Sequence, residues 1–173
     1  MISKKIEKAI NEQIKKEEYS SRLYLAMASW CESNGFPGAA QFLYAHSDEE
    51  RMHQLKFVHF LNDRGGFAVL QDIEQPPAKY ESLHGMFKEI LKHEQYITAS
   101  ISDIYDLCMQ EKDYTTGNFL QWFITEQIEE ENLVNGILDQ MALAGNEKSG
   151  LFHIDKELGA KAAPGAGASV SAT

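Results

Sequence analysis

The stretch Glu50-Arg51-Met52-His53 places two potential metal ligands one helical turn apart, and it lies 33 positions after Glu17. The same spacing recurs 77 residues later, where Glu94 is followed after 33 positions by Gln127-Ile128-Glu129-Glu130. The corresponding pairs are Glu17 with Glu94, Glu50 with Gln127, and His53 with Glu130. This repeat predicts two helix pairs, each of which supplies half of one metal site inside a four-helix bundle.

The segments that carry these residues each show an apolar stripe with spacings of three and four, which is typical of a helix facing a core. In the third segment, Glu94 interrupts such a stripe near its middle. The equivalent interruptions in the other segments would meet it at one depth of a bundle. A buried, ionised carboxylate is strongly unfavourable unless it is paired or bound to metal. One histidine cannot neutralise three glutamates, so the pattern favours a metal site over a buried Glu–His network.

Composition limits the possible classes of protein. A chain of 173 residues is long enough for one domain with a substantial core. The net charge of −10 disfavours nucleic acid as a partner and favours cations. No apolar run has the length of a membrane span, and the first residues lack the apolar centre of a signal peptide. Cys31 and Cys108 both lie within helical stripes, which is typical of buried thiols in a reducing compartment, so we expect a cytoplasmic protein.

Capping and breaking residues predict an all-α chain. The expected helices run from Ser3 to about Ser33, from the Gly35–Gly38 break to about Arg64, from about residue 82 to Lys112, and from about Asp113 to Ala144. The link at about 67–81 spans about 50 Å when extended. A helix of about 27 residues, such as the second one, is about 40 Å long. The second and third helices can therefore be parallel, joined by one long crossover.

The last part of the sequence predicts a short fifth helix and a tail. Residues 146–158 carry a small apolar face formed by Leu151, Phe152, Ile154 and Leu158. A helix this short is marginal alone in water. With a four-helix bundle already complete, we expect this face to contact neighbouring subunits. Residues 159–173 are rich in Gly, Ala and Ser, which predicts a disordered tail after a domain of residues 1–158.

The chain resembles the bacterial-type non-haem ferritins over residues 1–158. The segments that carry the resemblance are Asn11–Gln13, Glu17, Tyr24, Glu49–His53, Glu94-Gln95, Asn118–Trp122 and Glu126–Glu131. The resemblance implies a ferritin-like four-helix bundle in which Glu17, Glu50 and His53 hold one iron. It further implies that Glu50 bridges to a second iron held by Glu94 and Glu130, with Gln127 alongside. Tyr24 would lie beside this site, either as a core tyrosine or as an electron donor.

The donor set agrees with this implication, because carboxylate-rich ligation with one imidazole suits iron better than zinc or copper. By resemblance, the protein would be an iron storage protein with ferroxidase activity. It would oxidise Fe(II) with O2 or H2O2 and store Fe(III) as a hydrated oxide mineral. The expected assembly is a homo-oligomeric cage of 24 subunits, with iron and no haem, and with neither nucleic acid nor membrane as a partner.

Further acids beside the pair suggest a third iron site. Glu126, Glu129 and Glu130 share one helix face, and Glu49 adjoins Glu50 on the second helix. The alternative is a solvated acidic face that only attracts cations. His46 lies one turn before Glu50 but outside the repeat, so we interpret it as a core histidine with its hydrogen bonds satisfied.

Other functions remain open at this point. A bacterioferritin would carry its haem-ligating methionine where Arg51 stands, and Met52 is rotated by about 100° from that position. A bundle that only nucleates mineral without oxidising iron is a further possibility. By comparison with animal ferritins, Gly117 and Leu120 would take the places of acids that line the three-fold pore. We therefore expect a pore that attracts iron less strongly in this chain.

Overall fold

Five helices make up the part of the chain that is described in this computed structural model, residues 2–145 and 147–162. They are α1 Lys4–Ser33, α2 Pro37–Asp63, α3 Leu83–Glu111, α4 Tyr114–Ala144 and α5 Lys148–Lys161. Over these residues there is no strand, and no helix is long and apolar enough to cross a membrane. The prediction of an all-α bundle with a short fifth helix is confirmed.

Side chains outside the helices set several of the helix starts. Ser3 accepts a hydrogen bond from the Ile6 amide at 3.3 Å, Ser82 from the Gly85 amide at 3.0 Å, and Asp113 from the Thr116 amide at 3.1 Å. Each cap satisfies an amide that has no partner within its own helix. The second helix begins at Pro37, inside the predicted break, because proline fits the first helical turn, where its missing N–H costs nothing.

The long link between α2 and α3 runs along α1. At its start, the side chain of Asn11 donates to the Phe67 carbonyl at 3.1 Å and accepts from the Val69 amide at 2.7 Å. At its other end, the Tyr80 ring meets Trp30 edge-on, with centroids 5.8 Å apart. The link therefore carries the chain from the beginning of α1 to its end. This leaves α2 and α3 parallel, as the expected single long crossover requires.

The apolar core is divided into two clusters by a polar layer. One cluster lies towards the end of α1 and includes Met27 and Phe87, and the other lies towards its beginning and includes Ile10 and Phe57. The layer between them contains Glu17, Glu50, His53, Glu94, Gln127 and Glu130, all of which are buried. The predicted meeting of polar interruptions at one depth is therefore present in the fold.

The expectation for the fifth helix was wrong in its packing. Ile154 and Leu158 are only 5% and 1% exposed, because α5 packs them against the core of its own subunit. Burial of these two side chains therefore requires no neighbouring subunit. Phe152 is 67% exposed. The helix also continues to Lys161, so residues 159–161, which the sequence placed in the tail, are helical. Residues 163–173 of the predicted tail lie outside the described residues, as does Asn146.

Small residues allow α5 to dock closely on the start of α2. A Cβ added at Gly38 would lie 1.9 Å from the Asp155 carbonyl oxygen, and one added at Gly159 would lie 3.1 Å from Gly38 Cα. The Asp155 carboxylate accepts hydrogen bonds from the amides of Gly38 at 3.2 Å and Ala39 at 2.8 Å. Since the Phe36 side chain makes no capping hydrogen bond, Asp155 caps α2 from a distant part of the chain.

Replacing Gly38 by alanine should lower the free energy of unfolding, because the new methyl group would collide with the α5 backbone and separate Asp155 from the amides it caps. Loss of such a cap alone costs about 0.5–2 kcal/mol. Gly136→Ala is the matched control, since a Cβ there meets no atom within 4 Å. It should leave stability unchanged or raise it by about 0.4–1 kcal/mol. Guanidinium unfolding of both variants measures the difference, and equal stabilities would contradict this account of the α5 docking.

Candidate metal centre

Three of the predicted ligands converge in the polar layer. Glu17 on α1 and Glu50 and His53 on α2 each offer a ligand atom, and these atoms all lie within 4.8 Å of one another. The three residues are 1%, 5% and 3% exposed. His53 Nδ1 lies 3.4 Å from a carboxylate oxygen of Glu50. This arrangement could hold a metal ion out of contact with bulk water.

A chain of hydrogen bonds holds Glu17 in place. The Gln13 amide nitrogen donates to Glu17 at 2.7 Å, and the Gln13 oxygen accepts from the Ser100 hydroxyl at 2.6 Å. Because Gln13 precedes Glu17 by four residues, the two side chains share one helix face. Sequence reasoning missed this role of Gln13, although a polar residue four positions from a buried ligand was the available indication.

Both carboxylate oxygens of Glu94 accept hydrogen bonds from neighbouring side chains. One accepts from the Tyr24 hydroxyl, and the other accepts from the Gln127 amide nitrogen at 3.0 Å. Gln127 therefore uses its donor group to orient Glu94, which a glutamate at position 127 would repel. Within the described residues, Glu94 belongs to no group of three converging ligand atoms from His, Cys, Asp or Glu.

Glu130 differs from Glu94 in its hydrogen bonding. The residue is 6% exposed, and its Oε2 is the one buried side-chain oxygen or nitrogen without a hydrogen-bond partner among the residues that the structure describes. A buried acceptor left without a donor is costly and calls for an explanation such as a bound ion.

Burial controls the electrostatics of the layer. It is the main cause that raises the pKa of each of the four carboxyl groups of Glu17, Glu50, Glu94 and Glu130. The pKa of Glu130 rises to about 9, with repulsion from Glu94 as the next cause. Without metal, Glu130 therefore favours the protonated form at neutral pH, and burial shifts the pKa of the other three carboxyl groups in the same direction. A bound cation would favour the ionised form, so that metal binding releases protons.

Tyr24 lies inside the layer and is 1% exposed. Its hydroxyl donates to Glu94, and burial is the first cause that raises its pKa. These contacts are those of a core tyrosine that orients a ligand. A role as electron donor stays a prediction.

An acidic cavity adjoins the buried site. It measures about 420 Å³, and its lining includes Glu49, Glu126, Glu129 and Glu130, the four residues of the predicted third site. Glu49 forms one group of converging ligand atoms with His53 and Glu126, and another with His46 and Glu130. Glu129 lines the cavity without belonging to such a group within the described residues. Lys161 of α5 also reaches this cavity.

Two other residues make contacts at the site that the sequence did not indicate. One ring nitrogen of His46 is hydrogen-bonded to the Phe42 carbonyl oxygen, as a core histidine requires, but His46 also lies at the acidic cavity. Trp122 packs edge-on against the ring of His53, with centroids 5.4 Å apart, and the Lys56 ammonium lies 3.8 Å from the Trp122 ring centroid. The indole therefore supports a ligand histidine in addition to covering the core.

Comparison with known proteins identifies the family of the chain. A family model described as the ferritin-like domain matches residues 7–144. The chain belongs to the ferritin family. It is similar to a bacterial non-heme ferritin of Campylobacter jejuni, with 44% identity covering 90% of this chain and 93% of the relative. A bacterial non-heme ferritin of Staphylococcus aureus is 34% identical and covers 93% of this chain and 97% of that relative. Among solved structures, an open pore ferritin from Archaeoglobus fulgidus matches with a TM-score of 0.90 and 40% identity, covering 92% of this chain and 98% of that chain.

The expectation that Gly117 and Leu120 line a three-fold pore does not hold for this ferritin-family chain, while the weaker attraction of iron by that pore stays a prediction. Leu120 is fully buried, and a Cβ added at Gly117 would lie 2.7 Å from Met109 Cε. Both positions therefore face the interior of the subunit and cannot line a pore between subunits. Counting back from Gln127 gives the place of Gly117 and Leu120 along the helix, but it does not show whether they face the core or a neighbouring subunit.

The raised pKa of Glu130 predicts a pH-dependent stability of the metal-free protein. Between the ordinary carboxyl pKa of 4.5 and about 9, the folded state binds more protons at this residue than the unfolded state. Stability therefore falls as pH rises through this window, by up to about 1.4 kcal/mol per pH unit for one proton. Glu130→Gln, which cannot ionise, should remove this contribution.

Guanidinium unfolding in the presence of a chelator at pH 5, 7 and 9 provides the measurement. The stability curve of the variant should decline less steeply than that of the original chain. Parallel curves would show that Glu130 does not titrate in this way.

Proposed function

We propose that this chain stores iron and oxidises Fe(II) at a pair of adjacent sites within each subunit. The observation that carries the proposal is the buried convergence of Glu17, Glu50 and His53 beside the carboxylates of Glu94 and Glu130. Membership of the ferritin family supports iron storage with ferroxidase activity. In this proposal Glu17, Glu50 and His53 bind one Fe(II), while Glu50, Glu94 and Glu130 bind the second.

The residues of the layer suit this reaction. Two Fe(II) ions held together can pass two electrons to one O2, which yields two Fe(III) ions and peroxide, or the same two electrons to H2O2, which yields water. The carboxylates give up their protons when Fe(II) binds and stabilise the higher charge of Fe(III) afterwards. Gln13, Tyr24 and Gln127 keep two of the carboxylates oriented throughout. Hydrolysis of the ferric product releases further protons and gives a hydrated oxide mineral.

A third iron site is proposed at the acidic cavity, formed by Glu49, Glu126, Glu129 and Glu130. Its support is that all four residues line one cavity and that Glu49 belongs to two groups of converging ligand atoms. This site would hold iron in transit between the buried pair and the mineral.

Replacing His53 or Glu50 by alanine should slow Fe(II) oxidation by orders of magnitude, because either change removes a ligand of the first iron. His59→Ala is the matched control, since His59 is an exposed histidine on the same helix. The initial rate is followed by stopped-flow absorbance after mixing with Fe(II) and O2. Rates in the His53 and Glu50 variants equal to that of the control would refute the oxidation site and favour passive mineral nucleation.

We also propose that the chain assembles into a closed cage of 24 subunits with octahedral symmetry. The support is membership of the ferritin family together with apolar side chains that stay exposed on the single chain. Phe67 and Leu70 of the crossover link are 70% and 67% exposed, and Leu25 on α1 is 50% exposed. Light scattering coupled to size exclusion should give the mass of 24 chains. A monomer or a 12-subunit particle would contradict the proposal.

A further inference from the structure

The two groups of converging ligand atoms at the acidic cavity follow from the antiparallel arrangement of α2 and α4. Along α2, His46, Glu49 and His53 follow one another at roughly one-turn intervals on one face. Along α4, Glu130 lies level with His46, and Glu126 lies level with His53. Each group thus consists of one histidine, one α4 glutamate and the shared Glu49. The His46 group lies outside the repeat of di-iron ligands and was not predicted from the sequence.

The ring of His46 is held in an orientation suited to ligating a metal. Its Nδ1 lies 3.0 Å from the Phe42 carbonyl oxygen, which can only accept a hydrogen bond. Nδ1 therefore carries the proton, and Nε2 of the neutral ring offers a lone pair. A metal-binding histidine usually donates its other N–H to a carbonyl or carboxylate in this way. The Phe42 ring, 4.1 Å away between centroids, restrains the imidazole further.

The second observation is the buried oxygen of Glu130. Its Oε2 has no hydrogen-bond partner, and it lies 3.8 Å from His46 Nε2. That separation is too long for an N–H···O hydrogen bond, so a shared proton does not join the two atoms. The two atoms therefore face each other in a largely buried position without a hydrogen bond between them. A cation between them would satisfy both, and the Glu49 carboxylate completes the group within 4.8 Å.

We propose that His46 is a ligand of the third metal site, where its Nε2 holds a divalent transition-metal ion together with the carboxylates of Glu49 and Glu130. This inference rests on the proposed third site and changes its chemistry. A nitrogen donor favours Fe(II) or Zn(II) over the hard ions Mg(II) and Ca(II), which an all-carboxylate cavity would also attract. The site thereby favours a transition-metal ion over Mg(II) and Ca(II) on the path between the oxidising pair and the mineral.

Anomalous diffraction from crystals of the assembled protein soaked in Zn(II) tests the proposal, because Zn(II) binds without being oxidised. We expect two peaks at the buried pair and a third within about 2.0–2.2 Å of His46 Nε2 and of a Glu49 or Glu130 oxygen. A third peak held by Glu49, Glu126 and Glu129 with His46 beyond bonding distance would overturn the role of His46 and leave the third site standing.

Other outcomes separate this inference from the proposals on which it rests. Peaks at the pair with nothing in the acidic cavity would overturn both the third site and the role of His46. Absence of zinc at Glu17, Glu50 and His53 would instead count against the proposed metal pair.

A variant gives a second measurement in solution. His46→Phe keeps an aromatic ring but removes both nitrogens, and it should weaken Zn(II) binding at the third site at least about tenfold in calorimetric titration, with the other sites unchanged. The matched control is His93→Phe, since His93 is another largely buried histidine, hydrogen-bonded to Ser20 at 2.7 Å, outside the described groups of ligand atoms. Full third-site affinity in His46→Phe would overturn the proposal. If that variant fails to fold, the diffraction result decides the question alone.

Discussion

Four carboxyl groups buried between two apolar clusters are the constraint on which the rest of this structure depends. Apolar surroundings disfavour the ionised form of each group, and their mutual repulsion adds to that cost. Hydrogen bonds offset part of it, because an amide donor meets Glu17 and a hydroxyl and an amide meet Glu94. One carboxylate oxygen of Glu130 has no hydrogen-bond donor among the described residues. A metal ion bound at the proposed site would relieve the remaining cost, so the same burial that weakens the metal-free protein would strengthen its binding of iron.

The two halves of the sequence repeat differ in a way that serves this balance. In the first half, Glu50 and His53 supply ligand atoms to a compact group with Glu17. In the second half, Gln127 donates to Glu94. A glutamate at that position would add a fifth buried acid to a layer whose carboxyl groups already have raised pKa values. Gln127 therefore provides a hydrogen-bond donor that lowers the electrostatic cost of the layer, where a glutamate would provide a further carboxylate.

The helix pattern and the ligand spacing were readable from the sequence because both depend on local periodicity. Glu17, Glu50 and His53 could be placed in one layer since each interrupts an apolar stripe at mid-helix. The packing of α5 could not be predicted in this way, because it depends on the absence of a side chain at Gly38, in a helix far away along the chain. Whether His46 lies beside Glu130 depends on how far α4 is displaced along the axis of α2. Periodicity within one helix carries no information about that displacement.

The cap that Asp155 places on α2 also concerns the order in which the chain is made. Asp155 and Ala39 are joined by a hydrogen bond across 116 positions of sequence. During synthesis the amides at the start of α2 therefore remain without this partner until the 116 positions up to Asp155 have followed. The helix that bears Glu50 and His53 is thus completed by residues that are translated much later. A chain that stops before Asp155 lacks this closure, so α5 couples translation of that distant segment to completion of α2.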